Sequence, residues 1–200
     1  ALQAAYQSEM AMDEFDEYSD LFAQGGDFDI PATARVGFSF AATERVKVHF
    51  DVEHTYYSRV SSVANPLSNV TGCPTVGGMD IESCLGGERG FGFGWDDVTV
   101  YQVGAEWNPA STPRVTWRVG YNYGEQPISE ENASINILAP AVVEQHFTAG
   151  FCWDLDNEDH ISVALMYAPS EEVTGPNFFD PTQQVSFEMD QWELEVAYTF

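Results

Sequence analysis

The chain has 200 residues, 44% of them hydrophobic and 14% aromatic, with 7 basic against 32 acidic side chains and a formal net charge of −25. That balance excludes a nucleic-acid partner, whose phosphates demand Lys and Arg, and it excludes adhesion to anionic lipid by charge alone. No run approaches the roughly 18 consecutive apolar residues of a spanning helix, so residence in a membrane would have to be by strands.

The acidic excess suits either a high-salt environment or a surface neutralised by divalent cations. The chain opens Ala1-Leu2-Gln3-Ala4-Ala5-Tyr6 without a charged or apolar leader. The expectation is that a leader was removed or that an N-terminal part of the protein is missing.

In chain order, residues 2–12 alternate Leu2, Ala4, Tyr6, Ser8, Met10 and Met12 against polar or small neighbours, a first strand. Residues 13–32 carry Asp13, Glu14, Asp16, Glu17, Asp20, Asp27 and Asp29, and lack the spacing of an EF-hand. They are expected to be a solvated loop rather than a calcium site. Strands follow at 33–40, with Ala34, Val36, Phe38 and Phe40 on one face, and at 45–57, with Val46, Val48, Phe50 and Val52 on one face. The opposite face carries Arg35, Lys47, Asp51 and Glu53, and in a barrel lumen the two cations would be held by the two carboxylates.

Residues 58–96 are too long for a casual connection. They contain Cys73 and Cys84, expected to close a small loop by a disulfide, which implies an oxidising compartment. No His lies near either, which disfavours a metal at that pair. The stretch ends in Gly90-Phe91-Gly92-Phe93-Gly94-Trp95. Three rings separated by glycines suit a greasy entrance for an elongated ligand; equally, they could pack the loop onto a barrel rim.

Strands at 97–107, 114–124, 144–154, 159–168 and 185–200 complete the pattern, with loops at 125–143 and 169–184 and tight connections at 108–113 and 155–158. Cys152 reads as a small residue on an inner strand face. The last strand alternates Trp192, Leu194, Val196, Tyr198 and Phe200 with Glu193, Glu195, Ala197 and Thr199. Aromatics near both ends of an apolar face fit a strand that crosses a bilayer between two interfaces.

The connections alternate long and short, as in outer-membrane barrels, where a soluble sandwich predicts no such alternation. The fold class is therefore all-β: a transmembrane antiparallel β-barrel with eight strands in this chain, in one domain over 1–200 without a separate second one. Catalytic signals are poor. His49, His54, His146 and His160 stand in no spaced metal motif, and nucleophile elbows and phosphate loops are missing. His146 and His160 fall on inner faces, where a hydrogen-bonded lumen residue is expected rather than a base. No enzyme, cofactor or metal is implied.

Several segments together resemble a known family: Gly26-Asp27-Phe28-Asp29-Ile30-Pro31, Gly92-Phe93-Gly94-Trp95-Asp96-Asp97-Val98-Thr99-Val100-Tyr101, Arg118 through Ile128, Asn136-Ile137-Leu138-Ala139-Pro140 through His146, and Tyr167-Ala168-Pro169 through Asn177. In order, with the terminal Phe200, they are similar to the C-terminal half of the FadL/TodX family of outer-membrane transporters of long-chain fatty acids and other hydrophobic compounds. The resemblance implies a fourteen-stranded barrel with an N-terminal hatch, of which this chain would supply the last eight strands. It implies a bacterial outer-membrane, monomeric barrel surrounded by outer-membrane lipid and lipopolysaccharide. Its partner would be a long-chain fatty acid or a hydrocarbon, bound at extracellular loops and passing by diffusion.

The expected contacts are Phe91, Phe93 and Trp95 for the apolar chain, Arg89 or Arg59 for a headgroup, and Ile137 and Leu138 more remotely. Family members often carry Lys or Arg where this chain has Asp96, which leaves an uncharged ligand open. The alternatives are a structural barrel or surface receptor without transport, and a secreted soluble β-sandwich that binds sugars.

Overall fold

A computed structural model of the chain describes residues 1–13, 19–155 and 159–200. Part of the acidic loop, Glu14, Asp16 and Glu17 included, and the turn residues Asp156, Asn157 and Glu158 lie outside the described residues. Among the described residues the strands are β1 (Leu2–Gln7), β2 (Thr33–Thr43), β3 (Val46–Thr55), β4 (Val98–Trp107), β5 (Val115–Gly124), β6 (Gln145–Asp154), β7 (His160–Asn177) and β8 (Asp180–Thr199). They form one eight-stranded sheet in sequence order, every neighbouring pair antiparallel. β1 and β8 are its two edges, so the sheet is open. No described helix is long and apolar enough to cross a membrane.

The register lines up like with like. Phe38, Phe50, Val103, Tyr121, Phe147, Tyr167 and Trp192 are successive cross-strand partners. Because barrel strands tilt by about 35–45°, such a row climbs obliquely over the outer wall. A second row, Phe40, Val48, Ala105, Val119, Ala149, Leu165 and Leu194, is aliphatic apart from its first member. Trp107 pairs with Trp117, and Trp117 with Phe151, near the short-turn end. Most of these side chains are exposed, Trp192 at 63% and Leu194 at 67%, and the rest are partly so. Among the described residues no second sheet covers them, which sets aside the sandwich; an apolar face of this extent needs lipid as its solvent.

The inner face is polar. Gln3, Gly37, Asp51, Gln102, Asn122 and His146 form one cross-strand row. Its cations Arg35, Lys47 and Arg118 are paired, though not entirely as the sequence suggests. Arg35 Nε donates to Glu53 Oε2 at 2.7 Å, whereas Lys47 reaches Glu106 at 2.7 Å, with Arg118 beside the same carboxylate at 3.7 Å. Asp51 accepts from Gln3 Nε2 instead. Direct cross-strand neighbours lie about 5 Å apart, while Lys47 and Asp51 are four residues apart along one strand, roughly 13 Å.

The largest departures from the expected strand bounds are at β1 and at the β7–β8 hairpin. β1 stops at Gln7 rather than 12: its register with β2 would bring Ser8 opposite Ala32 and then Glu9 opposite Pro31, which has no N–H to donate. The pairing resumes in register one step further on, as the isolated bridge Met10–Ile30. Conversely, the expected loop at 169–184 is mostly strand: β7 and β8 run on as a hairpin that turns at Phe178–Phe179. The prolines that suggested a loop sit at irregularities: Pro169 falls within the register shift between Ala168 and Glu171, and Pro176 adjoins a second. With about 10 residues needed to span the hydrocarbon, the 18 residues of β7 project roughly 25 Å beyond it.

The packed core lies among the long loops. Ile128, Ala133, Val142 and Val173 are buried together, with Trp95, Ala141, Phe187 and Met189 against them. The loop after β5 is thereby laid on the hairpin's inner side. Contact is close at Gly175, where an added Cβ would sit 1.8 Å from the Glu130 carbonyl oxygen, so a larger residue would push the two apart.

Candidate functional site

The long loops at one end of the sheet meet in a cap, and its organising group is a buried amide. Asn136, last residue of the short helix Ala133–Asn136, is fully buried. Its Nδ2 donates to the Phe93 carbonyl at 2.7 Å and the Asn132 carbonyl at 2.9 Å, and its Oδ1 accepts the Trp95 indole N–H at 2.6 Å. Asn132 carries the bonding further, its Oδ1 accepting the Leu67 N–H at 3.0 Å. Between Phe93 and Trp95, Gly94 adopts a left-handed φ of +69°, and an added Cβ there would strike the Asn132 side chain. Glycine is thus required for the loops to approach.

Around this hub the rings form a seam. Phe22 lies 5.0 Å from Phe28, 5.3 Å from Phe91 and 5.1 Å from Phe93, centroid to centroid. Phe93 continues to Trp95 at 6.1 Å, and Trp95 meets Tyr57 edge-on at 5.2 Å. These spacings are those of attractive aromatic pairs. The backbone holds the two loops in place: Ala23, Gln24 and Gly25 donate to Phe91, Gly87 and Gly86, while Phe93 and Trp95 both donate to Val63.

Tyr57, at the end of the seam, also lines a cavity of about 440 Å³ against the inner faces of β4, β5 and β6. The walls include Val98, Val100, Pro127, Pro140, Ala141, Val143 and Met189, with Gln102, Asn122 and His146 as polar members. His146 Nδ1 lies 2.7 Å from Asn122 Oδ1. Glu125 and Glu144 are the carboxylates among the described lining residues, which include no Lys or Arg. Burial, and secondarily the charge of Glu53, push the Tyr57 phenol upward from its ordinary pKa, so it stays neutral.

The sequence-derived candidates are distributed unevenly. Phe91, Phe93 and Trp95 come together in the seam, with Phe91 buried. Arg89 makes a two-point bond to Asp80, Nε–Oδ2 3.0 Å and Nη2–Oδ1 2.6 Å, and the guanidinium holds that carboxyl down at about 2. Arg59 lies 4.4 Å above the Tyr56 ring and donates to the Tyr6 hydroxyl at 3.3 Å. Ile137 and Leu138 face outward, 56% and 72% exposed. Cys73 and Cys84 are joined by a disulfide, Cα–Cα 4.7 Å. Missed from the sequence are Phe22, Phe28 and Tyr57; a visible signal was the pair of rings set in an otherwise acidic loop around Gly25-Gly26.

Comparison with known proteins agrees with this geometry. Residues 2–194 match the family model described as outer membrane protein transport protein (OMPP1/FadL/TodX). Comparison with curated protein sequences gives no match. Among solved structures, a toluene transporter TodX of P. putida is similar over 86% of this chain at 18% identity and a TM-score of 0.57. Another TodX structure, of Pseudomonas putida, gives 21% identity over 86% and a TM-score of 0.54. At these identities the likeness is one of fold. This chain spans 35% of the length of each of those proteins.

Proposed function

Because the chain belongs to the OMPP1/FadL/TodX family of outer-membrane transport proteins, whose members are channels rather than enzymes, we propose that it passes uncharged hydrophobic small molecules, aromatic or aliphatic hydrocarbons, through a bacterial outer-membrane barrel. The single observation that carries this choice is the cavity below the seam, whose lining offers apolar walls, two carboxylates and no Lys or Arg. A fatty-acid carboxylate entering there would meet Glu125 and Glu144 and no cation among the described lining residues, a placement that raises its energy. Arg89 is already paired with Asp80, and Arg59 lies over Tyr56. A hydrocarbon bears no such penalty.

The steps follow from the residues. An apolar molecule first touches Phe93 and Trp95, where each methylene removed from water contributes about 0.8 kcal/mol. Tyr57 belongs to both the seam and the cavity, so the molecule can exchange one apolar surface for the next without returning to bulk water. Below, the wall becomes polar and its cations are held in pairs, Arg35 with Glu53 and Lys47 with Glu106. Such a wall holds apolar matter weakly and favours release.

Uptake by the full-length protein in lipid vesicles tests this, with toluene and a long-chain fatty acid offered in parallel. Uptake of toluene well above that of the fatty acid, lowered severalfold by Phe93→Ala with Trp95→Ala, is the expected result. Equal or faster uptake of the fatty acid would overturn the preference for an uncharged ligand. Toluene uptake indifferent to the double replacement would remove the seam from the path.

A further inference from the structure

At the opposite end of the sheet from the loops, the β6–β7 hairpin assembles a donor set that the transport path does not use. Cys152 and Asp154 are two residues apart on β6 and therefore share a face. Thr116 and Ser162, the cross-strand neighbours of Cys152, place that face on the polar inner wall. His160, the first residue of β7, is the direct ladder partner of Asp154. One donor atom from each of the three side chains lies within 4.8 Å of the other two. His160 Nδ1 is 3.0 Å from Asp154 Oδ1. Both remain accessible, with side chains 45% and 54% exposed.

We propose that Cys152, Asp154 and His160 form a three-donor site for a borderline-soft divalent cation of the Zn²⁺ class, completed by water. The donor chemistry selects the cation. One thiol, one imidazole and one carboxylate match zinc and its neighbours, whereas calcium or magnesium would require a cage of oxygens. Bonds of about 2.0–2.3 Å to tetrahedral ligands put donor atoms roughly 3.3–3.8 Å apart. Side-chain rotations that move the donor atoms by about an ångström bring the present spacings into that range, opening the 3.0 Å His160–Asp154 contact slightly and closing any wider one, none of which exceeds 4.8 Å. Cys152 is available as a thiol because the other two cysteines are bonded to each other. Binding releases the thiol proton to solvent, and the thiolate becomes the ligand.

Full-length protein in detergent is titrated with Co²⁺, a spectroscopic stand-in for Zn²⁺, in excess Ca²⁺ so that exposed carboxylates are occupied. The expected result is one Co²⁺ per chain with a thiolate-to-cobalt charge-transfer band that Zn²⁺ displaces and Cys152→Ser abolishes. His160→Gln and Asp154→Asn each weaken binding about tenfold or more. In the same preparation Zn²⁺ slows alkylation of Cys152 by about the same factor. Should Cys152→Ser fail to fold, prior alkylation of the folded wild-type protein removes the donor instead, and the band must be lost. Absence of the band, or a band whose affinity is unchanged in both His160→Gln and Asp154→Asn, would overturn the site, the latter by revealing a bare thiol adduct.

Discussion

Asn136 shows how much of the cap depends on one side chain. Replacing it by Ala leaves the Trp95 indole N–H and the Phe93 carbonyl without their partner in a partly buried setting, at a cost below the roughly 1–3 kcal/mol of a fully buried group for each. The expected outcome of Asn136→Ala is faster hydrogen exchange across 92–96 and 132–139 with the strand amides still protected. Asp80 offers a pH test. The Arg89 bond, aided by Ser83, lowers its carboxyl from the ordinary value to about 2. A depressed acid contributes stability above its unfolded pKa and loses it as pH falls. Order in 80–89 should therefore hold down to about pH 4 and decline between about 4 and 2, visible as rising amide exchange there relative to the intrinsic rate. Arg89→Ala should abolish that transition. Sequence alone marked Phe91, Phe93 and Trp95 because glycines isolate them. Tyr57 was invisible since its value lies in joining two loops to an inner wall, a long-range property. His160 and Asp154 likewise become neighbours only through cross-strand register, which no linear motif spacing records.

Strands were the most legible elements because period-2 alternation is local, and the centres of all eight can be read directly from the chain. Their ends were not. Pro31 trims β1 by removing a donor, while Pro169 and Pro176 are absorbed into shifts of register; proline identity alone does not distinguish these outcomes. The disulfide is an element-scale device. Closing a ring of sequence separation 11 between Cys73 and Cys84 restricts the unfolded loop by about 3 kcal/mol in the chain-entropy view. Reduction, or the pair Cys73→Ser and Cys84→Ser, should make 67–91 the first segment cut by protease, with barrel assembly unchanged. A like effect is expected of Gly175→Ala, whose new methyl group meets the Glu130 carbonyl and loosens the loop after β5 from the hairpin.

For the whole molecule the dominant fact is an apolar outer wall over a polar inner one. Leu194 lies between Trp192 and Tyr198 on that wall, opposite Leu165. Leu194→Arg should cost about 2–4 kcal/mol if it sits near mid-bilayer, measured as a shift in denaturant unfolding from lipid vesicles. Glu195, on the inner face one residue away, should tolerate Gln with far less effect. The β7–β8 hairpin has a mechanical consequence. Its tip is tied to the loop after β5, Phe178 N–H donating to Ser134 Oγ at 2.9 Å, and its inner side supplies Met189 to the cavity. Seen from the loop end it is a lever arm whose short end rests on the cavity. A load hung on Phe179, an antibody fragment or a grafted epitope, would be felt some distance below as a change in the shape of that cavity.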